Sequence, residues 1–306
     1  MKGIMRISCL LLMAAMALNA QQKEFPKLSG PYLGQTPPGT TPEIFAPGII
    51  STPEHEYGIS FSRDLREIYL KRITNGQGKN LVFCYENGRW QEPKEVRFHE
   101  EGRYGEIHLT PDGKYLLANQ ITAGAAGNLE STIVRFVRES GIWTNPVTVG
   151  PGMRATSTEK GDIYVTVVLD YKTSLGAIGR YRFFNGNYEK VQILKGDINL
   201  DNINSSHPFI APDESYLIFG SKRGDDASGC LYVAFKWKDD DWSRPVPLSK
   251  RLDPSKNTNH WIAAVSPDGK YLFYNAGSDI YWVSAKIIED LRREALQNDD
   301  QTSMRE

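Results

Sequence analysis

Apolar positions along this chain come in short runs rather than at helical spacing, and successive runs are separated by tight polar turns. Five related segments carry the pattern: Ile59 to Asp64, Leu109-Thr110-Pro111-Asp112-Gly113-Lys114-Tyr115-Leu116, a degenerate Thr158 to Val165, Ile210-Ala211-Pro212-Asp213-Glu214-Ser215-Tyr216-Leu217, and Val265-Ser266-Pro267-Asp268-Gly269-Lys270-Tyr271-Leu272. Proline pre-sets φ for the first central turn position, aspartate accepts from the backbone ahead of it, and glycine tolerates positive φ, so each segment predicts two strands joined by a hairpin. A second signal follows three of these turns: Gly88-Arg89-Trp90 with Pro93, Gly141-Ile142-Trp143 with Pro146, and Asp241-Trp242 with Pro245. The third unit keeps Gly186-Asn187-Tyr188 in that place. Each unit thus supplies four strands, for example Tyr104 to Leu109, Tyr115 to Asn119, Ile133 to Val137 and Pro146 to Val149, with an aromatic ring to fill the space between neighbouring sheets.

From Asp64 through Asp112, Lys160, Asp213 and Asp268 the spacings are 48, 48, 53 and 55 residues. A period near 50 built from four-stranded units predicts an all-β fold, a β-propeller of five blades, with six blades as the alternative. The fifth unit lacks its fourth strand, while Pro42 to Ile50 reads as a fourth strand without the other three. Pairing of that segment into the fifth blade would close the ring and leave no long sheet edge open.

Residues 1–20 read as an export signal: Lys2 and Arg6 form a positive n-region, Cys9 to Leu18 an apolar h-region, and Leu18-Asn19-Ala20 a small-residue cleavage site, so the mature chain would begin at Gln21. The apolar run is shorter than the roughly 20 residues a bilayer span needs. The expected organisation is a signal peptide over 1–20, an extension over 21–40, the propeller over 41–286 and a charged tail over 287–306 that starts as a helix. The location implied is periplasmic or secreted, with no transmembrane anchor after cleavage. Charge is near balance, 36 Lys and Arg against 37 Asp and Glu, which offers no basic footprint for nucleic acid. Cys84 and Cys230 remain after cleavage and fall on non-neighbouring blades, which predicts two packed thiols rather than a disulfide.

The run Ser266-Pro267-Asp268-Gly269-Lys270-Tyr271-Leu272-Phe273 and its sister copies resemble the PD40, or WD40-like, propeller repeats of TolB-type proteins, over roughly Phe45 to Lys286. His207-Pro208-Phe209-Ile210-Ala211-Pro212-Asp213 and the closing Asp279-Ile280-Tyr281-Trp282-Val283-Ser284-Ala285-Lys286 are similar to exported single-propeller proteins common in Bacteroidetes. The resemblance implies the fold. It implies no one activity, since relatives with this repeat include transport scaffolds, peptidase propellers and polysaccharide lyases; neither an N-terminal α/β domain like that of TolB nor a hydrolase domain is expected from these residues, so neither of those activities carries over.

In a propeller the first strand of each blade lines the central channel, and strict alternation along it puts one residue in two on the channel side. Counting four, six and eight places back from each turn gives a polar set that contains Glu56, Tyr104, Glu106, His108, Arg154, His207 and His260. The opposite parity, with Tyr57, Ile59, Trp261 and Ala263, is mostly apolar. The polar set could bind an anion or sugar through Arg154 and the aromatics, hold a divalent metal on three imidazoles and a carboxylate, or pair an acid with a base. It could equally line a watered channel whose polar groups satisfy one another. No cofactor or resident metal is expected. Asp225-Asp226 and Asp239-Asp240-Asp241 lack calcium-loop spacing and read as solvated turns. His55 and His99 fall near blade edges, and Asn202, Asn204, Asn257 and Asn259 on connections that could rim the channel mouth. The function expected is binding or scaffolding by a monomer that recognises a glycan-like ligand or a cell-envelope protein at the mouth, with a carbohydrate-active hydrolase or lyase at the same place as the alternative.

Overall fold

The computed structural model describes residues 24–124, 129–223, 230–237, 241–252 and 260–303. The export signal, Asp225-Asp226, Asp239-Asp240, Asn257 and Asn259 lie outside these residues. Five four-stranded antiparallel sheets make up a five-bladed propeller. From the innermost strand outwards, blade one is His55–Phe61, Glu67–Thr74, Gln77–Glu86 and Lys94–Glu95, and blade two is Tyr104–Leu109, Tyr115–Ala123, Leu129–Glu139 and Ile142–Pro151. Blade three is Met153–Ser157, Ile163–Asp170, Leu175–Tyr181 and Gln192–Ile193; blade four is Ser205–Ile210, Tyr216–Ser221, Cys230–Phe235 and Val246–Pro247. Blade five takes His260–Val265, Tyr271–Ala276 and Asp279–Ser284 from the end of the chain and Glu43–Ile44 from its beginning.

Ring closure is short but well anchored. Glu43 and Ile44 pair with Trp282 and Tyr281, and the Phe45 amide donates to the Ile280 carbonyl at 2.8 Å. The Phe45 ring, fully buried, sits 5.0 Å from both Phe273 and Trp282. Rings in the third turn of a blade fill the inter-blade space as expected: Trp143 joins Tyr69, Tyr104 and Phe136 in the core between blades one and two.

The turn aspartates are hairpin chemistry. Asp64, Asp112, Asp213 and Asp268 each accept, through Oδ1, from the backbone amide two residues ahead, at 3.0–3.2 Å. Asp268 also accepts from the Tyr32 hydroxyl at 2.8 Å, which ties the N-terminal extension to blade five. Between blades three and four, Glu214 accepts from Tyr164 and pairs with Arg180 and Lys236. The tail forms a helix, Lys286–Ser303, whose Ile287, Ile288, Leu291 and Ala295 are buried in the largest hydrophobic cluster. No disulfide joins Cys84 and Cys230.

Candidate functional site

Every innermost strand carries a β-bulge that includes the position six places before the turn. Tyr57 pairs with Lys71 but Ser60 with Tyr69, so three residues advance on the inner strand against two on its partner. The same one-residue insertion separates Tyr104 from Ile107, Met153 from Thr156, Ser206 from Phe209 and His260 from Ala263. An inserted residue reverses the alternation of side chains. The strict alternation expected along these strands therefore holds on only one side of the bulge.

The seven expected channel residues separate accordingly. Those eight places before the turn point into the blades. Glu56 is fully buried, pairs with Arg72 at 2.7 Å and accepts from Thr52; the Tyr104 ring packs 4.4 Å from Phe98; buried His260 stands 5.2 Å from Tyr274. Residues four places before the turn, His108 with Ser60, Phe209 and Ala264, line a small cavity of about 150 Å³ at one end of the channel. Burial and then the Arg154 charge lower His108 to about 3, and its Nε2 accepts from the Ser157 amide at 3.4 Å. The bulge residues themselves, six places before the turn, bring Glu106, Arg154 and His207 together around the middle of the channel.

Glu106 and His207 face a cavity of about 820 Å³ at the other end, to which all five blades contribute. Its walls include Tyr57, Met153, Ser206 and Trp261, one place before the bulge position in their blades, with His55 and Asn204 two places further out. Alternation assigns Tyr57 and Trp261 to the apolar side and leaves His55 near a blade edge; the bulge turns all of them into the cavity. Local signals for it in the sequence are Gly58, which stands at the bulge of blade one with φ +71°, and Gly105, inside the bulge of blade two. Trp261 is set by close packing: a Cβ on Gly220 would fall 2.6 Å from its Cε3.

Arg154 and His207 adopt φ +48° and +53°, the left-handed region in which L-residues are strained. Arg154 is 1% exposed and spans the channel, Nη2 donating to the Ala263 carbonyl at 3.3 Å, while Nε and Nη1 have no hydrogen-bond partner. Burial lowers the Arg154 guanidinium from its ordinary value, with Glu106 and Tyr57 opposing. His207 is lowered by burial too; Glu106 pulls it up and Arg154 pushes it down. Its Nδ1 lies 3.0 Å from Ser206 Oγ, and its ring 6.1 Å from Trp261. Among the described residues the Glu106 carboxylate makes no hydrogen bond or ion pair, and no group of three His, Cys, Asp or Glu side chains is placed to hold a metal ion. The imidazoles of His108, His207 and His260 occupy three separate environments.

No family model matches this chain, and no curated protein matches it in sequence. Solved structures do resemble it. A thermostable family-43 glycoside hydrolase aligns at TM-score 0.51 and 10% identity, over 76% of this chain and 90% of the hydrolase. TolB from Acinetobacter baumannii aligns at 0.49 and 14%, over 76% of this chain, which spans 55% of the TolB length. The nidogen/laminin complex aligns at 0.49 and 12%, over 78% of each chain. At such identities the likeness is one of fold. No described helix is long and apolar enough to cross a membrane.

Proposed function

We propose that this chain is an exported propeller of the PD40, TolB-like type that binds a glycan-like ligand in the cavity at the channel mouth. The observation that carries the reading is the composition of that cavity. About 820 Å³ is the size of a small-molecule site, and its walls set the rings of Tyr57 and Trp261 beside Glu106, Asn204, Ser206 and His207. Sugars present apolar C–H faces and dense hydroxyls, which suits aromatic surfaces interleaved with hydrogen-bonding groups. A protein partner would need on the order of 800 Å² of matching surface on each side, and a concave pocket walled by five blades is a poorer fit to that.

Binding is favoured over hydrolysis because glycosidases ordinarily need two cooperating carboxyl groups. Glu106 is the single carboxylate among the described cavity residues, and Glu56 is held by Arg72 and Thr52 inside the blade. The test is a glycan array probed with the purified protein, followed by calorimetry on each hit. Specific hits that lose at least tenfold in affinity with Trp261→Ala or Tyr57→Ala are the expected result. Hits that survive both substitutions, or capture only of envelope protein on a blade face, would overturn the reading. Release of reducing ends by wild type but not by Glu106→Gln would replace binding with catalysis.

A further inference from the structure

The large cavity is not evenly walled. Blade three contributes more of its lining than any other blade, and the cavity follows that blade outwards across three adjacent strands: Met153 on the first, Val168 on the second and Leu175 on the third. All three side chains are half-buried and so partly open to the cavity. Neighbouring strands lie about 4.8 Å apart, so the three make an apolar shelf about 10 Å wide, room for one aromatic ring. Tyr171, 45% exposed, ends the shelf at the turn between the second and third strands. Between the channel and that turn the shelf has one polar side chain, Thr166, and it is already engaged: Oγ1 accepts from the His207 amide at 2.8 Å. Asn204 Oδ1 accepts in the same way from the Gly176 amide at 2.8 Å, and its Nδ2 donates to Ser206 Oγ at 3.3 Å. The hydrogen-bonding groups along the seam of blades three and four thus satisfy one another. Unused capacity lies one place deeper along the inner strands, where the Glu106 carboxylate and His207 Nε2 have no hydrogen-bond partner among the described residues.

We infer that the ligand has two parts, a sugar and an aromatic substituent on it: the cavity takes an aryl glycoside, with the sugar at Glu106, His207 and the Trp261 ring and the aryl group on the shelf of Met153, Val168 and Leu175. This rests on the glycan-binding reading and names the ligand class of the same site. A sugar seated on the shelf would bury hydroxyls against side chains that offer them no partner, which is costly. An apolar group there gains by leaving water, and the Met153 thioether packs favourably against an aromatic ring. The same ring placed over Glu106 and His207 would cover the polar groups that have bonds to give. Each part of the ligand therefore has one wall that suits it and one that does not, and the two walls adjoin.

The experiment is calorimetry with paired probes: the methyl and phenyl β-glycosides of glucose, galactose, xylose and N-acetylglucosamine, with phenol as the probe that has no sugar. For at least one sugar the phenyl glycoside is expected to bind about tenfold or more tighter than both its methyl partner and phenol. The ratio of phenyl to methyl should fall to within about threefold in the double variant Val168→Thr/Leu175→Asn, which makes the shelf polar at nearly constant shape. His207→Ala should weaken both members of the pair and keep their ratio. Val168→Thr alone should lower the ratio measurably, so the shelf is tested even if the double variant fails to fold. Equal binding of methyl and phenyl glycosides would overturn the inference and leave the glycan reading standing. A ratio that survives in the double variant would overturn the shelf as the seat of the aryl group. Phenol binding as tightly as the phenyl glycosides would overturn the glycan reading, because the sugar would then contribute nothing. Binding of none of the probes would overturn both.

Discussion

Substitution of Gly58 by alanine probes the bulge and the site with one methyl group. The residue has φ +71°, where an L-side chain costs about 1–2 kcal/mol, partly offset by roughly 0.4–1 kcal/mol from the less flexible unfolded chain. That leaves a net loss of about 1 kcal/mol from backbone strain. Gly113 is the control: its φ is +72°, but a Cβ there would meet nothing within 4 Å. At Gly58 the new Cβ would stand 3.3 Å from Arg154 Nη1 and 3.4 Å from Glu106 Cγ, so both side chains must give by a few tenths of an ångström inside a packed channel. Overpacking of that kind adds roughly 1 kcal/mol. Urea unfolding should therefore show losses of about 1 kcal/mol for Gly113→Ala and about 2 kcal/mol for Gly58→Ala, with unchanged m-values. Only Gly58→Ala should weaken the ligand found by the array, since only it moves Glu106 and Arg154. Equal stability losses together with equal dissociation constants would refute the claim that the bulge of blade one is shaped to these two side chains.

Two further outcomes follow from the architecture. Phe45→Ala removes the one fully buried ring of the closing segment and should cost about 3–5 kcal/mol in chemical denaturation, a large share of the stability of an ordinary domain; a loss below about 1 kcal/mol would mean that Glu43–Ile44 does not close the ring. Burial alone would raise the Glu214 carboxyl, but hydrogen bonds from Lys236 and Tyr164 and the charges of Lys236 and Arg180 outweigh it and hold the group below its ordinary value. A depressed carboxyl stabilises the fold above its unfolded value of about 4.3, and that contribution is lost as pH falls through the lower, folded value. The midpoint of thermal unfolding should accordingly fall more steeply between about pH 5 and 3 in wild type than in Glu214→Gln, and parallel curves would remove Glu214 from the blade three to blade four contact.

The fold was legible because propeller physics is written locally and then repeated. Asp112 accepting from the Lys114 amide and Asp268 from the Lys270 amide are hairpin chemistry that a four-residue window reveals, and the near-50-residue spacing turns five hairpins into a ring. The closing strand was legible from what the two ends of the chain each lacked. The site was legible in part. Glu106, Arg154 and His207 meet at the channel because they hold the bulge position, and a residue at the insertion is reached by counting back from the turn. Glu56, Tyr104 and His260 do not join them, since alternation is interrupted between them and the turn. A bulge is decided by the pairing of two strands, not by either strand alone, which is why Tyr57 and Trp261 read as core aromatics until the partner register is known.

The bulge position is filled by Gly58, Glu106, Arg154, His207 and Ile262, and three of these, Gly58, Arg154 and His207, are left-handed. A backbone that had only to fold would place glycine at all three. Arginine and histidine there cost about 1 kcal/mol each, and what they supply is a guanidinium and an imidazole turned toward the channel. Two variants of His207 that lose the same ring separate the cost of the backbone from the role of the side chain. His207→Ala and His207→Gly both remove the Nδ1 contact with Ser206 and the packing against Trp261, but only alanine keeps the strained φ of +53°. Glycine should therefore be the more stable variant by about 0.5–1 kcal/mol after its larger unfolded-state entropy is counted, while both lose affinity for the glycan to the same extent. If alanine is as stable as glycine, the left-handed backbone carries no cost and the presence of histidine needs no functional reason. If glycine is more stable and binding is gone, the stability forgone at this position has been exchanged for the site.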